Sequence, residues 1–214
     1  MEKGTSRTPV GNHASECGVP QLYAMAEGIS SNAPAALAAE WFPMRVTYHR
    51  ELKVKEELDS LGVENFLPMH YELVGEGAER RKQLVPAIHN LLFIRTDMDT
   101  LTELKRSKQA LEPLRYMTRP AADRQGMHEI IRVPDRQMEN FMRVAGLSDD
   151  RVMFLEYNEL VAKPGRQVRV TEGFFAGVEG TVKRIGANKR VVIQIEGVAA
   201  VAIAYVPARC LEAV

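Results

Sequence analysis

The sequence predicts an α+β protein in which an α/β sandwich over residues 40–145 precedes a small β-barrel over residues 163–214. Two observations carry this prediction. In the first region, runs with apolar residues at i, i+4 and i+7 alternate with strand-like runs, the pattern of helices packed on a sheet. In the second region, segments punctuated by glycine alternate apolar and polar residues, which is the period of half-buried strands.

Composition and charge mark the remaining boundaries. Residues 1–39 are rich in Gly, Ser, Ala, Pro and Asn without sustained periodicity, which predicts a disordered leader. Residues 146–162 carry four acidic side chains and one basic side chain, and they predict a linker that ends near Pro164-Gly165. Residues 163–214 carry eight basic and four acidic side chains, whereas 40–145 are balanced at 17 of each. The predicted barrel is therefore mildly basic, which is compatible with an acidic partner.

The first helix of the sandwich is the most clearly patterned element. Val54, Leu58 and Leu61 recur at helical spacing over 50–61, and Gly62 supplies a stop. We expect Glu51 and Lys55 to form an i, i+4 pair on its wet face. Further helices are predicted at 97–108 and after Pro134. Strands are predicted at 41–47, 65–74, 80–85, 90–94, 114–118 and 128–133, with 90–94 apolar enough to be a central strand buried on both faces.

The glycine-rich segment 173–182 organises the predicted barrel. Gly173, Gly177 and Gly180 occur where a small barrel must turn, because glycine reaches positive φ without a Cβ clash. Phe174 and Phe175 are consecutive and cannot both face inward on a strand, so one should fill the barrel and the other should be exposed. Strands are predicted at 166–170, 178–185, 190–195 and 201–206.

No residue pattern in the sequence predicts an enzyme, a metal site or a cofactor. There is no phosphate-binding glycine motif, His-Glu-x-x-His or Cys-x-x-Cys. The five histidines are scattered, and we interpret them as surface or core residues. Two isolated cysteines, Cys17 and Cys210, favour a reducing cytosol. No apolar run has the length of a membrane span and no signal peptide is evident, so we expect a cytoplasmic monomer without a membrane partner.

The run Gly173-Phe174-Phe175-Ala176-Gly177-Val178-Glu179-Gly180, with its flanking strands, resembles a KOW motif. This resemblance implies a five-stranded SH3-like barrel over the second region. KOW barrels occur in NusG-type elongation factors and in some ribosomal proteins, and the upstream domain decides between these classes.

Residues 41–145 resemble the N-terminal domain of the NusG family in the order of Trp41, Arg50-Glu51, Phe66-x-Pro68, Pro86 and Asn90-Leu91-Leu92-Phe93. The sequence of this region resembles the specialised UpxY-type members of the family more closely still. That similarity lies in Arg45–Tyr48, Arg50–Lys53, Phe66–Met69, Val85–Leu91, Arg115–Met117 and Val133–Met138.

The resemblance implies a non-enzymatic antitermination factor. In the family the N-terminal domain binds the clamp of RNA polymerase and suppresses pausing and termination, and UpxY-like members act on long operons such as those for capsular polysaccharide. It assigns polymerase binding to Ile88, Leu91 and Phe93, for which core packing is the alternative. It assigns contact with the non-template DNA strand to Tyr48, His49 and Arg50, for which helix capping is the alternative. A ribosomal protein is the candidate partner of the KOW barrel.

The chain also departs from the general NusG factor. Ile88–Leu91 stand where that factor has Phe-Pro-Gly-Tyr, and Glu196–Val201 stand where its barrel has Phe-Gly-Arg-x-Thr-Pro-Val. The second segment helps the general factor engage Rho and a ribosomal protein, so weak or absent Rho binding is expected here. The alternatives to the specialised function are the general elongation factor itself and a ribosome- or RNA-associated KOW protein.

Overall fold

The structure is a computed structural model that describes residues 38–75, 80–123, 125–147, 151–155 and 165–214. The predicted disordered leader lies outside the described residues, apart from its last two positions. No helix in the described part of the chain has the length and apolarity needed to cross a membrane.

Helices and strands alternate along the first region and strands dominate the second. The helices are α1 Glu51–Ser60, α2 Met98–Ser107 and α3 Asp135–Ala145. The strands up to α3 are β1 Glu40–Val46, β2 Glu64–Phe66, β3 Met69–Val74, β4 Arg81–Pro86, β5 Leu91–Thr96, β6 Leu114–Tyr116, β7 Thr118–Pro120 and β8 His128–Ile130. Those after α3 are β9 Val152–Leu155, β10 Arg166–Val170, β11 Glu179–Ile185, β12 Asn188–Ile195, β13 Ala199–Ile203 and β14 Leu211–Ala213.

The first region is built on a four-stranded antiparallel sheet in the order β2-β5-β1-β6. Strand β5 lies between β1 and β2, and all four residues from Leu91 to Ile94 are buried. The prediction of a central strand buried on both faces is therefore confirmed. Strands β3 and β4 form a separate hairpin, and β7 and β8 form another.

The two faces of this sheet contribute to different hydrophobic cores. On the first face, Phe42, Met44, Leu92 and Ile94 pack with apolar residues of α1 and α2. On the second face, the alternate residues of the same strands pack with α3 in a larger core. The strand residues are Trp41, Leu91 and Phe93, and those of α3 are Met138, Phe141 and Val144. The period of two along β1 and β5 fixes which side chain enters which core.

The strands of the second region join β9, which precedes that region, in a six-stranded antiparallel sheet in the order β14-β10-β11-β12-β13-β9, which we call the C-terminal sheet. Its apolar face, including Val170, Ile193 and Val201, belongs to the same core as α3 and the second face of the first sheet. The prediction of a mixed α/β protein with antiparallel sheets is confirmed. The assignment of residues 163–214 to the KOW type stays a prediction.

Two predictions of local structure need correction. The linker predicted at 146–162 does not extend through Val152–Leu155, because this segment pairs with β13 as β9. Glu51 is not on a wet face: it is 3% exposed, and Lys55 pairs with Asp59 instead. A backbone partner from a distant loop draws Glu51 inward, and local helical spacing cannot indicate such a contact.

The glycine prediction is correct at two positions and wrong at the third. Gly173 and Gly177 have φ of 83° and 85°. Gly180 is not a turn residue but lies within β11, where a Cβ would come 2.7 Å from the carbonyl oxygen of Val192. Close approach of the neighbouring strand, rather than positive φ, therefore excludes a side chain at Gly180.

Candidate functional site

The three residues predicted to contact nucleic acid form an exposed loop between β1 and α1. Tyr48, His49 and Arg50 are all exposed. Thr47 anchors the start of the loop, since its backbone nitrogen donates to the Pro113 carbonyl at 3.0 Å. The end is anchored by α1, whose first turn places the Val54 nitrogen 2.9 Å from the Arg50 carbonyl. The structure thus presents these side chains together at the C-terminal end of β1.

Tyr48 and Arg50 are arranged as a cation–π pair within this loop. The guanidinium carbon of Arg50 lies 5.7 Å from the centroid of the Tyr48 ring, and Tyr48 is 74% exposed. An exposed aromatic face beside a cation can stack a base and contact a phosphate, with base stacking worth about 1–3 kcal/mol. Arg50 occupies the cap position of α1 without a side-chain capping bond, so helix capping does not explain its side chain.

The residues predicted to bind polymerase are placed differently from one another. Ile88 is half-buried, whereas Leu91 and Phe93 lie inside the core shared with α3. The Phe93 ring centroid is 5.6 Å from that of Phe141 on α3 and 6.4 Å from that of Phe66. Phe93 has no exposed surface, so direct contact with a partner requires this core to open.

The glycine-rich segment of the C-terminal region confirms the expectation for its two aromatics. Phe175 is 7% exposed and Phe174 is 65% exposed. Their ring centroids are 5.5 Å apart in an edge-to-face arrangement. The Arg151 guanidinium carbon lies 5.7 Å from the Phe174 centroid and 5.6 Å from that of Phe175. Phe174 therefore leaves an aromatic face at the surface beside a cation.

Helix α3 binds the C-terminal sheet through a row of polar side chains. Gln137 Nε2 donates to the Gln194 carbonyl at 2.9 Å, and Arg143 Nη2 donates to the Ala176 carbonyl at 2.8 Å. The backbone nitrogen of Glu179 donates to Asn140 Oδ1 at 3.2 Å. These positions on α3 share one helical face. Together with the apolar residues of α3, they attach the second region to the first.

Glu179 is the electrostatic centre of this contact. Its Oε1 accepts from Arg169 Nη2 at 2.7 Å and from Arg136 Nη2 of α3 at 2.5 Å. Hydrogen bonds from Arg169, and then from Arg136, hold the pKa of Glu179 below its ordinary value. Glu179 and Arg136 also line a groove of about 740 Å³ between α3 and the C-terminal sheet, together with Lys183.

The hairpin of β3 and β4 presents a mixed apolar and basic surface. Arg80, Arg81 and Lys82 are exposed, and the Lys82 ammonium lies 5.5 Å from the centroid of the Tyr71 ring. Leu73 and Leu84 are also exposed. The sequence indicated the charges on this hairpin but not the accompanying apolar residues.

Sequence reasoning missed a cluster beside the 47–50 loop. Oε1 of Glu51 accepts from the backbone nitrogen of Asn90 at 2.7 Å, which joins α1 to the loop before β5. His89 in that loop faces His49, with ring centroids 6.1 Å apart and nearly perpendicular planes. Ligand atoms of His49, Glu51 and His89 all lie within 4.8 Å of one another. Since about 40 residues separate the two histidines in sequence, no local spacing could have indicated the group.

Residues 39–142 match the NusG family, described as "Transcription termination factor nusG". No curated protein matches the chain. A solved structure described as "Domain interaction in Thermotoga maritima NusG" has 18% sequence identity and a TM-score of 0.41, and the alignment covers 84% of this chain and 99% of that chain. The family match begins one residue before β1 and ends within α3, so it covers the first region and slightly less than half of the chain.

Proposed function

We propose that this chain is an operon-specific transcription antitermination factor that binds RNA polymerase and suppresses pausing and termination. The observation that carries the proposal is the family match over residues 39–142, since NusG-family proteins are transcription factors that bind RNA polymerase. The specialised role, at operons for capsular or surface polysaccharide, is supported by the resemblance of residues 41–145 to UpxY-type members.

The exposed loop at 48–50 is the proposed contact for the non-template DNA strand. Tyr48 supplies a stacking surface and Arg50 supplies a cation next to it. Neither side chain is needed for a core or a capping bond, so both are available to a ligand. We expect removal of Tyr48 to weaken the contact by about 1–3 kcal/mol per stacked base.

The proposed polymerase contact centres on Ile88 at the surface, with Leu91 and Phe93 behind it. Ile88 is half-buried and packs against the core to which Leu91 and Phe93 belong. A partner can therefore reach Ile88 directly, whereas the other two residues support its position unless the core opens.

We further propose that residues 163–214 form a KOW-type barrel with weak or absent affinity for Rho. Glu196 is exposed and Val198 is half-buried at the turn where the general factor has an aromatic residue and an arginine. Aromatic and arginine anchors are the usual hot spots of interfaces, each costing about 2 kcal/mol or more when lost. A ribosomal protein remains the candidate partner of this region.

In vitro transcription over a Rho-dependent terminator, with the leader of the protein's own operon, tests the function. Addition of the full-length protein should increase the full-length transcript. Enhanced termination would show that the protein behaves as the general factor and would contradict the proposal.

Binding to a core polymerase elongation complex tests the assigned surfaces. The Tyr48→Ala variant should bind a complex with an exposed non-template strand more weakly, and the matched Tyr205→Ala variant, at an equally exposed tyrosine of the C-terminal region, should bind as the wild type does. Ile88→Ala should weaken binding to core polymerase without DNA, whereas Tyr48→Ala should not. Equal effects of Tyr48→Ala and Tyr205→Ala would reject the DNA contact.

A further inference from the structure

The cluster of His49, Glu51 and His89 has the composition of a transition-metal site. Two imidazoles and one carboxylate form a ligand set that Zn²⁺ uses with a fourth position open to water or another ligand. The ligand atoms are within 4.8 Å of one another. Tetrahedral coordination at about 2.0–2.2 Å from the metal needs ligand atoms roughly 3.3 Å apart. Rotation of the two exposed histidine side chains can close that difference.

The buried ligand is already held in place. Glu51 is 3% exposed, and one of its oxygens accepts from the backbone nitrogen of Asn90 at 2.7 Å. This bond holds the carboxylate in one orientation, in the manner of the outer partners that fix metal-binding carboxylates. Glu51 also starts α1, so its rotation is restricted by the helix backbone.

Backbone strain concentrates at the same place. Among the described residues other than glycine, positive φ occurs only at Tyr48, His49 and Asn90, with φ of 64°, 50° and 61°. Such conformations are uncommon for residues other than glycine and persist where the surrounding structure imposes them. All three residues supply or neighbour a ligand of the cluster, Tyr48 and His49 on one loop and Asn90, which follows His89, on the other.

From the ligand set, the buried and oriented carboxylate and the strained loops, we infer that His49, Glu51 and His89 bind one divalent transition-metal ion, with Zn²⁺ the best match. The ion would join the 47–50 loop, the first turn of α1 and the loop before β5. This inference concerns metal binding alone and does not rest on the proposed function.

Calorimetric titration of the full-length, metal-free protein with zinc chloride tests the inference. We expect one equivalent of Zn²⁺ to bind and to raise the melting temperature, because a ligand that binds the native state stabilises it. His89→Ala should weaken Zn²⁺ binding by at least about tenfold, and so should Glu51→Gln. His49→Asn is the suitable third variant, because asparagine tolerates positive φ and keeps the loop conformation.

Two controls distinguish this site from other metal binding. His128→Ala removes an exposed histidine elsewhere and should leave the affinity unchanged. The double variant His13→Ala/Cys17→Ser should also retain the site. Circular dichroism checks that each variant is folded, and His89→Ala, at an exposed loop position, keeps the test decisive if Glu51→Gln does not fold. The absence of Zn²⁺ binding to the wild type, or equal binding by the His49→Asn/His89→Ala protein, would overturn the inference.

Discussion

The two faces of the four-stranded sheet are covered in different ways. The first face is closed by α1 and α2, which lie close to its strands in sequence. The second face is covered by α3, and the core continues from α3 into the C-terminal sheet. Adjacent residues of β5 illustrate the contrast, because Leu92 packs into the first core and Phe93 into the second. One core therefore stabilises a single region, whereas the other joins two.

The largest expected effect comes from removing an aromatic ring from the second core. Phe141 is fully buried, with its ring centroid 5.6 Å from that of Phe93 and 6.3 Å from that of Phe66. Phe141→Ala should lower the free energy of unfolding by about 3–5 kcal/mol, measured by chemical denaturation. Amide chemical shifts in β12 and β13 should change as well, since α3 packs on these strands.

Leu101→Ala is the matched change in the first core. Leu101 is fully buried on α2, and its loss should cost about 2–5 kcal/mol. The amide shifts of the C-terminal sheet should stay unchanged in this variant. If Phe141→Ala also left those shifts unchanged, the second core would not be shared between the two regions.

A smaller effect is expected from the polar row on α3. Asn140→Ala removes the acceptor for the backbone nitrogen of Glu179 and should lower the free energy of unfolding by about 1 kcal/mol. Glu139→Ala changes the preceding, exposed residue of α3 and should stay within about 0.5 kcal/mol of the wild type. Equal losses in the two variants, measured in the same denaturation experiment, would mean that the Asn140 contact contributes nothing specific.

The pH dependence of stability tests the contribution of Glu179. Because Arg169 and Arg136 lower its pKa, this carboxylate contributes stability above the ordinary glutamate pKa of 4.5, and the contribution is lost as the pH falls through the lowered folded-state pKa. Denaturation of Glu179→Gln between pH 7 and pH 3 should therefore show a smaller loss of stability than the wild type. Glu196→Gln, at an exposed position, should retain the wild-type dependence. A wild-type dependence in Glu179→Gln would contradict this role.

Much of the fold could be predicted because its signals are local. Apolar spacing located α1, with Gly62 at φ of 69° ending it, and the continuous apolar run predicted a strand buried on both faces. Which element covers each face could not be predicted, since periodicity reports burial but not the partner. Strand β9 was missed for a related reason: its partner, β13, lies more than forty residues away.

In the candidate site too, the sequence located some residues, whereas others could be identified only from the tertiary fold. Resemblance located Tyr48 and Arg50, and the structure places both on one exposed loop. The roles of Glu51 and His89 depend on a contact between α1 and the loop before β5, across 39 residues of sequence. A charged residue at the start of a helix ordinarily suggests solvent exposure, so only the tertiary fold could identify Glu51 as a buried, oriented carboxylate.

The most direct test of a core shared by both regions uses two reporters in the full-length chain. Trp41 is the only tryptophan and lies on β1, so its fluorescence reports on the first region. In a Cys17→Ser variant, Cys210 is the only thiol and is buried in the C-terminal region, so its labelling rate reports there. We predict that both signals change at the same denaturant concentration, as one cooperative transition. Labelling of Cys210 at a lower concentration than the change in Trp41 fluorescence would contradict a shared core.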